Sequence, residues 1–157
     1  MSADKTLIYL FTDGAAKGNP GPGGYGVVLI YGKHRKELSK GFIETTNNRM
    51  ELLAVIAGLE SLNTNEHPVA IYSDSKYVVD PINKGWLRKW QQTGFKKKKN
   101  VDLWQRFLPL QKKFTLTFHW LKGHAGHPEN ERCDELAVEA AEGGGLIVDE
   151  GFTRSTN

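Results

Sequence analysis

The sequence predicts an α/β fold, one mixed β-sheet with helices packed on its faces. Three observations carry this. Along the 157 residues, apolar patterning reads strand, strand, strand, helix, strand, helix, helix, helix, strand, helix. The links between the first three strands are too short for a helical crossover, so those strands should pair antiparallel. Residues 6–12 (Thr-Leu-Ile-Tyr-Leu-Phe-Thr) form a nearly continuous apolar run, as expected of a strand covered on both faces.

Each element has its own warrant. Residues 14–24 hold Gly-Asn-Pro-Gly-Pro-Gly-Gly, which predicts a tight loop of turn formers. A second strand spans 25–31, Gly32 and Lys33 make a turn, and a third strand covers 37–43. A helix over 48–62 follows from Leu52, Val55, Ile56 and Leu59 at i, i+3, i+4 and i+7. Met50, Leu53 and Ala57 add a second apolar face, so this helix should be well buried. Residues 63–68 break it, 69–73 form a strand and 75–83 a helix that Pro81 should kink or end. Short helices are expected over 86–92 and 101–113, the latter weakened in its second half by Pro109. A strand over 116–120 and a loop over 123–127 lead to Pro128, suited to the first position of a helix reaching about 142. Gly143, Gly144 and Gly145 stop it, and the tail 143–157 is expected to be partly mobile. The whole chain, 1–157, reads as one domain.

Apolar residues make up 39% and charged ones 25%, a globular composition. No apolar run approaches the roughly 20 residues of a membrane helix. The N-terminus leads straight into a strand pattern, so no secretory signal and no membrane partner are expected. Cys133 is the only cysteine. It excludes an intramolecular disulfide, fits a reducing, cytoplasmic setting, and reads as helix packing rather than as a reactive thiol. Nothing demands more than a monomer.

The net charge of +3 is unevenly spread. Lys84, Arg88, Lys89, Lys96, Lys97, Lys98 and Lys99 fall within 84–99 with no acid among them, which leaves 14 basic against 18 acidic residues elsewhere. A basic handle (about 84–100) on an acidic body suggests a polyanionic partner held in one orientation. A merely solvated lysine loop is the other reading.

Four carboxylates carry the chemistry: Asp13, Glu51, Asp74 and Asp134, each expected where a strand hands over to a helix. Strand ends in open α/β sheets converge on one crevice. Acids gathered there repel one another and resist ionisation unless a cation joins them. The natural counter-charge is a pair of hard, oxygen-seeking ions, which points to metal-assisted attack on a phosphodiester. Individually each acid fits a plainer role. Asp13 suits a turn, Glu51 the reciprocal half of a capping box with Asn48, Asp74-Ser75 an N-cap, and Asp134 the acidic start of a helix.

Four long motifs stand in order: Thr-Asp-Gly-Ala-Ala-Lys-Gly-Asn-Pro-Gly-Pro-Gly-Gly-Tyr-Gly, Thr-Thr-Asn-Asn-Arg-Met-Glu-Leu, Asp74-Ser75, and Lys-Gly-His-Ala-Gly-His-Pro-Glu-Asn-Glu-Arg-Cys-Asp-Glu-Leu-Ala. Together, over about 7–140, they closely resemble bacterial ribonuclease H, type one. The resemblance implies an RNase H-like fold, a five-stranded mixed sheet with three antiparallel strands followed by two parallel ones. It implies an endonuclease cutting the RNA strand of RNA–DNA hybrids, leaving 3′-hydroxyl and 5′-phosphate ends. The cofactor implied is Mg²⁺, two ions roughly 3.5–4 Å apart, with Mn²⁺ as a substitute. Asp13 would bridge both ions, Asp74 would help hold the nucleophile-side metal, and Glu51 and Asp134 the other. His124 matches the family's mobile histidine, and an ordinary pKa of about 6.5 suits it to proton transfer. His127 reads as a structural loop residue.

Hybrid recognition must separate RNA from DNA, and the 2′-OH is the distinguishing group. Asn19, Asn47, Asn48 and the backbone near Gly14 can read it, while Thr46 with Asn19 resembles the family's pocket for a DNA-strand phosphate. Asn47 and Asn48 starting a helix is the plainer reading. In the handle, Arg88, Lys89 and Lys96–Lys99 would contact phosphates. Trp86 and Phe95 would face substrate, and Trp90 would pack in the handle's own core. Lys76 would also lie against substrate. Lys76 and Asp80 stand where bacterial relatives often carry glutamines, Phe95 where tryptophan is frequent, and Pro81 alters the turn into the handle. Those departures touch affinity and cut-site preference. A hybrid-binding module without catalysis is the alternative, disfavoured because all four acids and His124 are present; a related nuclease acting on DNA is a third reading.

Overall fold

The apolar run at the start of the chain becomes the central strand of a sheet. A computed structural model describes residues 7–123 and 126–152. The order is β1 (Ile8–Ala16), β2 (Gly21–Tyr31), β3 (His34–Thr45), α1 (Asn47–Glu60), β4 (Val69–Ser73), α2 (Lys76–Asn83), α3 (Trp86–Gln92), α4 (Val101–Lys113), β5 (Leu116–Trp120) and α5 (Pro128–Glu142). The strands form one five-stranded sheet, β3-β2-β1-β4-β5. β1–β2 and β2–β3 are antiparallel, and β4 runs parallel to both β1 and β5. The expected mixed α/β sheet is therefore present.

α1 lies on one face. Both of its apolar stripes are covered, and Leu52, Val55, Ile56 and Leu59 are fully buried in a cluster with Leu10, Val27, Ile71, Trp104 and Phe107. Each such side chain contributes about 1.5–3 kcal/mol on burial. That outweighs the few tenths of a kcal/mol that β-branched Val55 and Ile56 cost a helix. α5 packs on the opposite face, against β1, β2 and β3. There Cys133 and Leu136 meet Val28. Burial pushes the Cys133 thiol far above its ordinary pKa, so it is packing and not a nucleophile.

The structure departs from the sequence expectations at several places. The loop expected over 14–24 is only a turn at 17–20, because β1 runs on to Ala16 and β2 starts at Gly21. Glycine is needed in β2 for packing: a Cβ on Gly26 would overlap the Cys133 carbonyl of α5. Pro81 lies inside α2, which ends two residues later. Pro109 lies inside α4 without stopping it; the carbonyl it leaves unpaired belongs to exposed Gln105, where water can serve. Of the tail expected to be partly mobile, the described part makes defined contacts, while 153–157 lie outside the described residues. Ile147 bridges Phe42 on β3, and Asp149 is buried. No helix among the described residues is long and apolar enough to cross a membrane.

Candidate active site

β1 alternates its side chains, so Tyr9, Phe11 and Asp13 share one face while Leu10 and Thr12 take the other. Asp13 sits inside this strand, opposite Gly26, and not at a strand–helix junction as expected. The next residue makes the site possible: a Cβ on Gly14 would overlap the Met50–Glu51 peptide, so only glycine lets α1 press its first turns onto β1. α1 is capped by Thr46, whose Oγ1 accepts from the Arg49 N–H at 3.3 Å. Glu51 is therefore free of capping duty, contrary to the capping-box reading. Asp74 directly follows β4, where the Trp120 indole donates to its carbonyl at 3.1 Å. Ser75, not Asp74, occupies the N-cap position of α2. The outcome is a convergence: one carboxylate oxygen from each of Asp13, Glu51 and Asp74 lies within 4.8 Å of the others.

The electrostatics of this trio are unfavourable as they stand. Asp13 is only 6% exposed. Burial, reinforced by the charges of Asp74 and Asp134, pushes its pKa up to about 7, although hydrogen bonds from Glu51 and the Gly14 N–H act the other way. Glu51 rises well above its ordinary value, through burial first and then the Asp13 charge beside it. The two carboxyls resist full ionisation together, because both are buried and each faces the other's charge. The Glu51 Oε2 is out of solvent with no hydrogen-bond partner. A buried acceptor in that state calls for a proton or a cation. The donor set is oxygen alone, which suits hard ions such as Mg²⁺ or Mn²⁺.

Asp134 lies apart from this group. It is the seventh residue of α5, half-buried, beyond both the strand–helix boundary and the acidic first turn formed by Glu129 and Glu131. It is not within the 4.8 Å cluster, yet its charge still reaches Asp13. His124 lies outside the described residues. His127 stands at the N-cap position of α5, exposed.

The expected substrate contacts fall beside α1 and along the handle. Asn19, Thr46 and Asn48 line a cavity of about 360 Å³ with Lys99 and Asn100. Two of its polar groups keep free donors. Asn19 Oδ1 already accepts from the Asn47 N–H at 3.0 Å, and Thr46 Oγ1 from Arg49, so an amide NH₂ and a hydroxyl proton remain. Asn47 Oδ1 accepts from the Ala16 N–H at 2.6 Å, tying the end of β1 to the helix start. Thr46 precedes Glu51 by five residues, roughly 7 Å along the helix. In the handle, Arg88, Lys89 and Lys96–Lys99 are exposed, and Trp86 is 40% exposed with Lys84 over its ring. Trp90 packs edge-on to Trp104, as expected of a core residue. Phe95 is a correction: only 6% exposed, its ring fills the core beneath the handle and offers no face to a ligand. Lys76 is exposed and lies over the Trp120 ring at 4.7 Å.

One group escaped the sequence reading. Arg49, 1% exposed, is bidentate to both Asp149 and Asp102 at 2.7–2.9 Å and also bonds the Asn100 side chain at 3.3 Å. Asn100 and Trp104 in turn donate to the Tyr77 hydroxyl. A cation amid the apolar residues of a buried helix is the one signal in the sequence that points to it.

The chain matches the RNase H family over residues 5–142. It is 57% identical to the ribonuclease H of Desulforamulus reducens over 147 residues, 90% of this chain and 92% of that one. Among solved structures it resembles LC9-RNase H1, a type 1 RNase H with the type 2 active-site motif (TM-score 0.79, 32% identity, 97% of this chain and 83% of that one). It also resembles LC11-RNase H1 in complex with an RNA/DNA hybrid (TM-score 0.66, 28% identity, 86% and 96%).

Proposed function

Because the chain belongs to the ribonuclease H family, we propose that it is an endonuclease hydrolysing the RNA strand of RNA–DNA hybrids, with Asp13, Glu51, Asp74 and Asp134 holding two Mg²⁺ ions. The observation that carries the reading is the convergence of Asp13, Glu51 and Asp74, with the proton affinity of Asp13 and Glu51 raised and one Glu51 oxygen unpartnered. Ions held there would offset the charge of the scissile phosphate and make water a better nucleophile. The chain's own contribution is placement. Asp13 and Glu51 sit on elements locked together through Gly14, and the Asp74 backbone is held by Trp120. Water adds to phosphorus, the bond to the 3′-oxygen breaks, and that oxygen takes a proton. The ends are then a 5′-phosphate and a 3′-hydroxyl. His124 is proposed to assist this proton movement or product release.

Strand choice rests on the α1 side. The remaining donors of Asn19 and Thr46, with Lys99, suit a phosphate of the DNA strand, while exposed Asn47 and Asn48 suit 2′-hydroxyls of the RNA. Gly14, Lys76, Trp86, Arg88, Lys89 and Lys96–Lys98 are proposed to line the rest of the track. A monomer in a reducing, cytoplasmic setting belongs to the same proposal, supported by the single buried thiol of Cys133.

The test compares RNA–DNA, RNA–RNA and DNA–DNA duplexes with Mg²⁺ and with excess chelator. Cleavage of the hybrid's RNA strand alone, abolished by chelator, is expected. Equal cutting of DNA duplex, or full activity in chelator, would overturn the proposal. Tight hybrid binding without cleavage would leave only a binding module.

A further inference from the structure

Four separate parts of the chain meet at the 360 Å³ cavity beside α1. Three are the 17–20 turn, the helix start and the end of the handle. The fourth is unexpected: Phe152, from the segment that follows α5. We propose that Phe152 is a working wall of this cavity, and that Phe152 and Asp149, whose carbonyl holds the Phe152 turn, are positioning residues for the grip on a DNA-strand phosphate. The inference rests on the reading of the cavity as a phosphate site.

The segment is built into the fold, not laid against it. The Ile147 carbonyl accepts from the Ile43 N–H at 2.8 Å, and the Ile147 N–H donates to the Gly41 carbonyl at 3.1 Å. Asp149 is 8% exposed and accepts from the Thr45 hydroxyl at 2.7 Å as well as from Arg49. The Phe152 N–H donates to the Asp149 carbonyl at 3.1 Å, closing the turn that brings its ring to the cavity.

Arg49 is the common anchor. Its backbone N–H holds Thr46 Oγ1, and its guanidinium holds the Asn100 side chain and Asp149. The donor wall, the handle wall and the Phe152 wall are thus referred to one buried residue. Walls held in place before binding lose less entropy when a ligand arrives. An aromatic wall also displaces water, which strengthens hydrogen bonds from Thr46, Asn19 and Lys99 to an anion. The ring itself touches no charge on the phosphate; it shapes the space in which charged contacts act.

The experiment uses the full chain with Mg²⁺ and hybrids carrying a single neutral methylphosphonate at successive positions of the DNA strand. For the wild type, one position should raise KM about tenfold, the loss of one charged contact. Phe152→Ala should raise KM on unmodified hybrid about fivefold with kcat within about twofold, the signature of lost binding common to ground and transition states. In that variant the methylphosphonate effect should shrink to about twofold or less, and Phe152→Leu should restore most of it. Asp149→Asn should act in the same direction. If both Phe152→Ala and Asp149→Asn keep the wild-type KM and the wild-type methylphosphonate effect, the wall has no role and the inference falls, while the phosphate site stands. If the wild type shows no position-specific effect, the phosphate site falls and takes the inference with it.

Discussion

Two buried charge clusters lie two residues apart on α1 and are built on opposite plans. Arg49 closes its charge within the chain through Asp149 and Asp102. The guanidinium lowers the Asp102 pKa although burial works against it. Glu51 instead meets acids, Asp13 and Asp74, and both it and Asp13 are driven towards the protonated state. Buried ion pairs give little net stability but are costly to break from one side. A cluster of like charges is a standing cost unless something from outside joins it. A charge group satisfied by the fold is therefore architecture, and one left unbalanced is a place for a ligand.

The contrast can be broken most sharply at Asp13. Asp13→Asn should reduce Mg²⁺-dependent hybrid cleavage about a thousandfold or more, since it removes a central ligand. His124→Ala should lose clearly less. Equal losses would assign the histidine more than an auxiliary role.

Arg49→Ala should lower unfolding free energy by about 3–5 kcal/mol in urea titrations, because buried Asp149 loses its partner. Arg49→Lys should recover only part, since an ammonium cannot bridge two carboxylates side by side. A loss below about 1 kcal/mol would mean the Arg49 group is no more structural than a surface pair.

The pH dependence tests the other cluster. Asp13 binds its proton more tightly folded, at about 7, than at the ordinary 3.8. Its contribution is fully present below about 4 and is lost as pH rises through about 7. In chelator, urea unfolding should show stability falling across that window by on the order of 4 kcal/mol. Asp13→Asn should flatten the fall, and Mg²⁺ should offset it. A rise in stability over the same window would contradict a metal-free acid cluster.

The smallest effect concerns the handle, where charge is solvated. Replacing Lys96–Lys99 by Gln should raise KM several-fold and flatten its dependence on log salt by up to about 0.9 per lost phosphate contact, with kcat little changed. An unchanged slope would remove the handle from substrate binding.

Much of this was legible in the chain. The helix of residues 47–60 shows a 3.6-residue repeat, and residues 69–73 and 116–120 are short apolar strands bounded by breakers, so local patterning found them. The four acids stood out through their motifs. What escaped depends on partners distant in sequence. Gly24 looks like a loop residue and Gly26 an unremarkable strand residue, but both serve α5 more than a hundred positions on. Phe95 looks like a ligand-facing ring beside lysines, but folding draws it into the core that also holds Trp104 and Phe107. Arg49 carries no mark in sequence that Asp102 and Asp149 await it.

By itself, then, the order of residues determined the succession of strands and helices, the segregation of lysines into a handle and the identity of the acids, since each is a property of neighbours along the chain. Folding alone decided that Asp13, Glu51 and Asp74 share one small volume while Asp134 stands back, and that the segment through Phe152 lies against the start of α1. Those are distances across the sheet, set by glycine-permitted contacts and buried hydrogen bonds between segments up to a hundred or more residues apart.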